Sequence, residues 1–227
     1  MSSVTDHLIP GGWSDREVAI GPHRFQLFTP TDPDRLLDHL EAPETSSQPH
    51  LADPYWAKLW PAAPLLAQTV VRIPPPRNTR VLELGCGSGL VGIAALACGL
   101  DVTFSDYIPF TVDLALENAA RNGFRHAHGM VLDWRKISEA QLPHFDLILA
   151  ADVTYDRANL DPLLDVLDRA LAPHGKAWFG DAGRGPAAEF HRRALDRCWA
   201  VAIYDEQDRA ATAPALGRYQ RFVLRQP

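Results

Sequence analysis

The 227-residue chain holds only three cysteines, Cys86, Cys98 and Cys198, an odd number without CxxC spacing, which argues against a disulfide framework or a zinc site. Lysine is equally scarce. Lys58, Lys136 and Lys176 stand among 22 basic residues, so few candidates exist for a Schiff-base lysine. No window approaches the roughly 18 consecutive apolar residues of a membrane span, and Met1 to His7 lack the basic-then-apolar order of a signal peptide. The expectation is a cytoplasmic protein in a reducing compartment, with no membrane partner. Positive charge is also short, at 22 basic against 28 acidic residues and a net charge of −6. That argues against a chain built to grip phosphate backbones, and no nucleic-acid partner is expected. What is plentiful is apolar content, 46% of residues, enough for one sizeable core.

Composition changes at about residue 55. Gly11 to Asp53 is rich in Pro, Gly, Asp, Ser and His, and within it Glu17–Ile20 and Arg24–Phe28, separated by Gly21-Pro22, read as a small hairpin. Asp32 to Leu40 reads as a short helix. We expect residues 1–53 to form an arm or lid and residues 54–227 the main domain. In the latter, Val81–Leu84, Val102–Ser105, Met130–Leu132, Phe145–Ala151 and Lys176–Phe179 are near-continuous apolar runs, as strands covered on both faces must be. Helical segments lie between them at Leu90–Cys98, Phe110–Asn122, Leu160–Leu171 and Ala187–Arg197. Alternation of this kind predicts an α/β fold with a parallel sheet and helices on both faces. Val201–Tyr204 and Arg218–Leu224 have no long helix between them and are expected to pair antiparallel at one edge.

The sharpest feature is Val81 to Gly89, a buried strand running into the glycine-rich turn Gly85-Cys86-Gly87-Ser88-Gly89 and then into a helix. Such a turn lets a ligand touch backbone, at the strand ends where ligands of open parallel sheets lie. Two cofactors compete for it. Gly87 to Gly92 matches the GxGxxG of dinucleotide sites, whereas Glu83-x-Gly85-x-Gly87-x-Gly89 is the pattern expected of S-adenosylmethionine sites. A dinucleotide oxidoreductase also needs a hydride-transfer apparatus, and neither Tyr107 nor Tyr155 has a lysine four residues on. Asp106, ending the second strand, can accept both hydrogen bonds of a ribose diol. Asp133-Trp134 puts a carboxylate and a stacking ring where an adenine would lie. Asp152 to Tyr155 brings a carboxylate and a phenol to the same rim.

The chain resembles class I S-adenosylmethionine-dependent methyltransferases, and among them the protein-lysine methyltransferases of the electron-transfer-flavoprotein β-subunit type. The resemblance covers about residues 54–190. It rests on Asp53 to Trp60, Leu82 to Gly89, Ser105-Asp106, Leu132 to Trp134, the Asp-x-x-Tyr of Asp152 to Tyr155, and Gly180 to Arg184. It implies a Rossmann-like, seven-stranded, mostly parallel sheet with an antiparallel edge strand, preceded by the small N-terminal hairpin arm. It also implies that Glu83, Gly85, Gly87, Gly89 and Asp106 hold S-adenosylmethionine, with Trp60 and Trp134 flanking it. Asp152 and Tyr155 are implied to lie by the acceptor nitrogen, with Asp181 nearby. Ala182, where flavoprotein-specific members carry proline, and Pro61-Ala62-Ala63, in place of a glycine pair, are departures.

The expected activity is in-line methyl transfer to a lysine of a protein substrate. The alternatives are a small-molecule or other nitrogen acceptor, and a catalytically idle S-adenosylmethionine-binding partner protein. The N-terminal arm, surplus to cofactor chemistry, is the expected place for acceptor selection. No metal is expected, because His126-x-His128 reads as a solvated loop. Pro74-Pro75-Pro76 reads as a spacer, and Arg192, Arg193 and Arg197 as a solvated helix face.

Overall fold

The computed structural model describes residues 9–38, 53–137 and 142–226. Strands β1 (Trp13–Ile20) and β2 (His23–Pro30) pair antiparallel from Trp13 opposite Pro30 to Ile20 opposite His23. Their two-residue turn sets Gly21 at φ 55°, the positive φ that the first position of a II′ turn requires. Helix α1 (Pro33–Asp38) follows, and its expected continuation to Leu40 lies outside the described residues. A 3-10 turn, Pro54–Ala57, leads into α2 (Ala62–Arg72). The chain then alternates through β3 (Arg80–Leu84), α3 (Leu90–Ala97), β4 (Asp101–Asp106), α4 (Pro109–Arg121), β5 (His128–Val131) and β6 (Phe145–Ala151). After these come α5 (Leu160–Ala170), β7 (Leu171–Asp181), α6 (Ala187–Asp196), β8 (Ala200–Tyr204), β9 (Ala210–Ala211) and β10 (Gln220–Arg225).

The main sheet runs in the order β5-β4-β3-β6-β7-β10-β8-β9. The first five strands are parallel, and β10 is antiparallel to both its neighbours, β7 and β8. The two late strands therefore pair antiparallel at one end of the sheet, as expected, with β10 inserted between β7 and β8. An eighth strand, the two-residue β9, adds to the expected seven. Side chains alternate between two cores, as period-2 strands covered on both faces require. Leu82, Leu84, Ile148 and Ala150 enter a cluster with α5 and α6, whereas Val81, Leu147 and Leu149 enter one with α2 and α3.

The hairpin belongs to that second core. Its Ile20, Phe25 and Leu27 are at most 3% exposed and pack with Leu66, Val70 and Leu96. Two asparagines one turn apart, Asn118 on α4 and Asn122 at its C-terminal cap, complete the docking by standing in for a neighbouring strand. The Phe28 N–H donates to Asn118 Oδ1 (2.7 Å), and Asn118 Nδ2 donates back to the Phe28 carbonyl (3.2 Å). Asn122 repeats the pairing with Gln26 at 2.9 and 2.8 Å. The Gly21 N–H donates to Gln68 Oε1 at 2.9 Å.

On the opposite side, Arg193 and Arg197 are not a solvated face. They bridge α6 to α5, Arg193 pairing with Asp161 (2.6 Å), and Arg197 with Asp161 (3.0 Å), Asp165 (2.6 Å) and Asp168 (3.2 Å). Among these three arginines, Arg192 alone stays within its own helix, pairing with Asp196 at 2.5 Å. The sequence shows the charge run but not that α5 presents its aspartates to it.

Candidate active site

The glycine turn between β3 and α3 floors a cleft at the carboxyl ends of β3, β4 and β6. Eight of the expected residues line it: Trp60, Glu83, Gly85, Gly87, Asp106, Trp134, Asp152 and Tyr155. Among the described residues none of β1 or β2 does, so the hairpin packs behind the cleft's walls. Gly89 is φ +81° and sits beneath the loop, where a Cβ would come within 3.0 Å of Ala115 and 3.1 Å of the Phe104 ring. Asp133 caps the short turn Trp134–Lys136 instead of facing the cleft. Burial works against the charge of Asp133, but hydrogen bonds from Arg135 and Lys136 outweigh it and hold the carboxyl below its ordinary range. Asp181 is fully buried, accepting from Thr154 Oγ1, from the Gly183 N–H (2.7 Å) and from the Arg184 N–H (2.9 Å).

Glu83 faces α3, and its Oε2 accepts from the Gly92 N–H at 2.9 Å. Burial pushes its carboxyl up to about 8, against the pull of the Gly92 and Val91 amides. Gly92 is required by contact rather than φ, since a Cβ there would fall 2.4 Å from the Phe104 ring and 2.5 Å from Glu83. Asp106 ends β4 with one oxygen accepting from the Ile108 N–H (3.2 Å) and the other from the Gly87 N–H (3.4 Å). Burial raises its carboxyl to about 6 despite those amides. The Trp134 ring lies against the loop, close enough that a Cβ on Gly85 would touch it at 3.4 Å.

The opposite rim is gathered from three segments. Asp152, after β6, has φ 55°, an uncommon conformation for a non-glycine residue that aspartate tolerates better than most. Its Oδ2 accepts from the Ala62 N–H (2.8 Å), and its Oδ1 from the Ala182 N–H (3.3 Å) and Arg184 Nε (3.2 Å). Trp60 donates its indole N–H to the Tyr55 carbonyl at 2.8 Å. Tyr55 and Tyr155, 41% and 39% exposed, face each other with ring centroids 5.6 Å apart at the cleft mouth. Burial and the nearby Asp53 charge push the Tyr155 phenol up to about 12.

Four residues at or beside the cleft receive no role from the sequence, although Asp53, Tyr55 and Arg184 lie in segments that carry the resemblance. Tyr55 and Arg184 join the rim only through folding. Asp53 accepts from the Tyr107 hydroxyl, across 54 positions. Asn118, besides holding Phe28, donates to the Ser88 carbonyl of the glycine turn at 3.0 Å.

The sequence profile described as lysine methyltransferase matches residues 51–185, a span that contains the entire lining of the cleft. The chain belongs to this lysine methyltransferase family. It is 32% identical over 202 residues to the electron transfer flavoprotein beta subunit lysine methyltransferase of Danio rerio, covering 86% of this chain and 74% of that one. Two further matched relatives are spanned over only 54% and 53% of their length. Similarity also extends to the histone-arginine methyltransferase METTL23 of Rattus norvegicus, 29% identical over 152 residues, 64% of this chain and 67% of the relative. Among solved structures, a TehB-like SAM-dependent methyltransferase from Corynebacterium glutamicum superposes with a TM-score of 0.59 at 20% identity, covering 86% and 96% of the two chains, and shares the fold. The family member described here is accordingly an S-adenosylmethionine-dependent methyltransferase.

Proposed function

We propose that this enzyme methylates the side-chain nitrogen of a lysine presented by a protein partner. The observation that carries the reading is the cleft itself, with a glycine-turn floor and an exposed aromatic mouth, Tyr55 and Tyr155, that suits the aliphatic stem of a lysine. The lysine methyltransferase named for Danio rerio supports the same acceptor. The residues fit the cofactor. Asp106, a buried carboxylate lining the cleft, suits a ribose diol, and the glycine turn beside it leaves backbone open to an extended ligand. In this reading Asp106 accepts the ribose hydroxyls, the Trp134 ring stacks on the adenine, the backbone at Gly85 and Gly87 takes the methionine part, and Trp60 closes the side. Glu83 in the lining, with Gly89 and Asp133 behind it, keeps loop and helix in place, and Asp181 holds the segment that carries Arg184. When bound, S-adenosylmethionine supplies an electrophilic methyl group.

A lysine with an ordinary pKa near 10.4 must lose its proton to attack, which costs about 4.6 kcal/mol at pH 7. Tyr155, a phenol up to pH about 12, is no base for that step. It is a hydrogen-bonding wall beside the amine. Asp152 orients the amine from the rim, and positioning by Tyr55, Trp60 and Tyr155 contributes most of the rest. Residues 53–60, rather than the hairpin behind them, are then the segment that selects the acceptor. On this basis residue 53 divides a supporting arm from the catalytic domain. Cytoplasmic residence and the lack of nucleic-acid or membrane partners belong to the same reading, supported by three free thiols and the acidic balance.

The test is incubation with methyl-labelled S-adenosylmethionine and a cell lysate, followed by hydrolysis and amino-acid analysis. Label in methyl-lysine is the expected result. Label in methylarginine would favour the second reading, another protein nitrogen, which the similarity to the histone-arginine relative supports. Label confined to small molecules would overturn both.

A further inference from the structure

Asp152 stands at the acceptor rim, yet its carboxylate is committed within the chain. Besides the amides of Ala62 and Ala182 it carries a guanidinium, Arg184 Nε, at 3.2 Å, with its own side chain 1% exposed. Arg184 is fixed at both ends. Its backbone N–H donates to the buried Asp181, and its guanidinium lies 5.0 Å above the Trp60 ring, which lines the cleft. The other cation over that indole, Lys58 at 5.5 Å, is paired with Asp34 of α1.

An uncompensated carboxylate beside the acceptor would favour the ammonium, the form that cannot attack, because an opposite charge within about 4–6 Å stabilises the charged state. The geometry points to a role for Arg184 that neither the sequence motif nor the family match assigns. We infer that Arg184 is the counter-charge of the acceptor subsite, cancelling Asp152 so that the carboxylate can orient an amine without holding it as a cation. The same guanidinium lies over the Trp60 ring, so one side chain sets both the charge and the wall of the subsite. This inference rests on the methyltransferase reading of the cleft, and its test separates the two.

The probes are S-adenosylhomocysteine, neutral at the reacting position, and sinefungin, which carries an ammonium where the transferred methyl sits. Their affinities are measured by calorimetry on the full-length wild type and on Arg184→Gln, Arg184→Met and Arg184→Lys. With the counter-charge removed, the preference for sinefungin over S-adenosylhomocysteine should rise about tenfold or more in the Gln and Met variants, and stay within about threefold of wild type in Lys. The Met variant offers a long apolar side chain beside Trp60, so the measurement survives if Gln does not fold. The reciprocal variant, Asp152→Asn, should shift the preference the other way. A preference unchanged in a folded Gln or Met variant that still binds S-adenosylhomocysteine overturns the inference. Failure of the wild type to bind either probe overturns the cofactor reading instead.

Discussion

The floor of the cleft is made by residues close in sequence, whereas the rim proposed to hold the acceptor is gathered from afar. Glu83, the glycine turn, Gly92 and Asp106 lie within one strand-helix-strand unit, and the longest hydrogen bond among them, Gly87 to Asp106, spans 19 positions. On the rim, Ala62 meets Asp152 across 90 positions and Arg184 meets it across 32. The floor is preset by local geometry, because the turn that makes positive φ also starts the helix. The rim exists only once β6, β7 and the 53–60 segment have come together. Changes on the floor should therefore act on cofactor affinity, and changes on the rim on the acceptor step.

The largest effect expected tests whether the floor is as local as it looks. Asn118 ties the Ser88 carbonyl of the turn to the Phe28 backbone in the hairpin, and it is fully buried. Asn118→Ala strands the Phe28 N–H and two carbonyls, at about 1–3 kcal/mol for each buried group, so chemical denaturation should show a loss of about 3 kcal/mol or more. Asn122→Ala, at the more exposed pair, should cost about 1 kcal/mol. Where the Asn118 variant still folds, its weakened step should be cofactor binding. A defect confined to the acceptor's KM would erase the division between the halves.

Next comes Asp106→Ala. Two charge-assisted hydrogen bonds to a ribose, at about 1.5 kcal/mol each at the low end, correspond to roughly a hundredfold weaker cofactor binding by calorimetry. Unchanged affinity would remove Asp106 from the floor.

The contrast also explains what could be read in advance. Near-continuous apolar runs predict β3, β4 and β6 because both faces are covered, and the turn from Gly85 to Gly89 announces a binding floor because few other residues allow its backbone. Charge patterns mislead where partners sit on another element. Arg193 and Arg197 look solvated until α5 offers Asp161, Asp165 and Asp168. Asp133 looks like an adenine contact until Arg135 and Lys136 fold back onto it. The Asp152–Arg184 pair and the Tyr55–Tyr155 mouth depend on sheet order, which no local spacing encodes.

A pH series sharpens the floor's side of the comparison. Burial holds the Asp106 carboxyl at about 6, above its ordinary 3.8. Between those values the folded protein keeps a proton that the unfolded chain has released, so this group's contribution to stability is lost as pH rises through about 6. On the proposed ribose contact, cofactor binding has the opposite sign, because only the ionised carboxylate would accept both hydroxyls. Calorimetry should show affinity about tenfold lower at pH 5 than at pH 7, with that slope abolished in Asp106→Asn. A slope that persists in the variant would assign the titration to another group.

The smallest effect expected belongs to the rim and separates a wall from a base. A phenol held up to about 12 is protonated throughout the neutral range, so Tyr155→Phe removes at most one neutral hydrogen bond, about 0.5–1.5 kcal/mol. Turnover with the acceptor found in the lysate assay should fall about threefold, with the shape of its pH profile from 6 to 9 unchanged and cofactor affinity intact. Tyr155→Ala also removes the ring facing Tyr55, so its added cost should appear in the acceptor's KM. If Tyr155→Phe instead flattens the pH profile or abolishes turnover, the hydroxyl takes part in proton transfer. The rim would then perform chemistry and not only positioning.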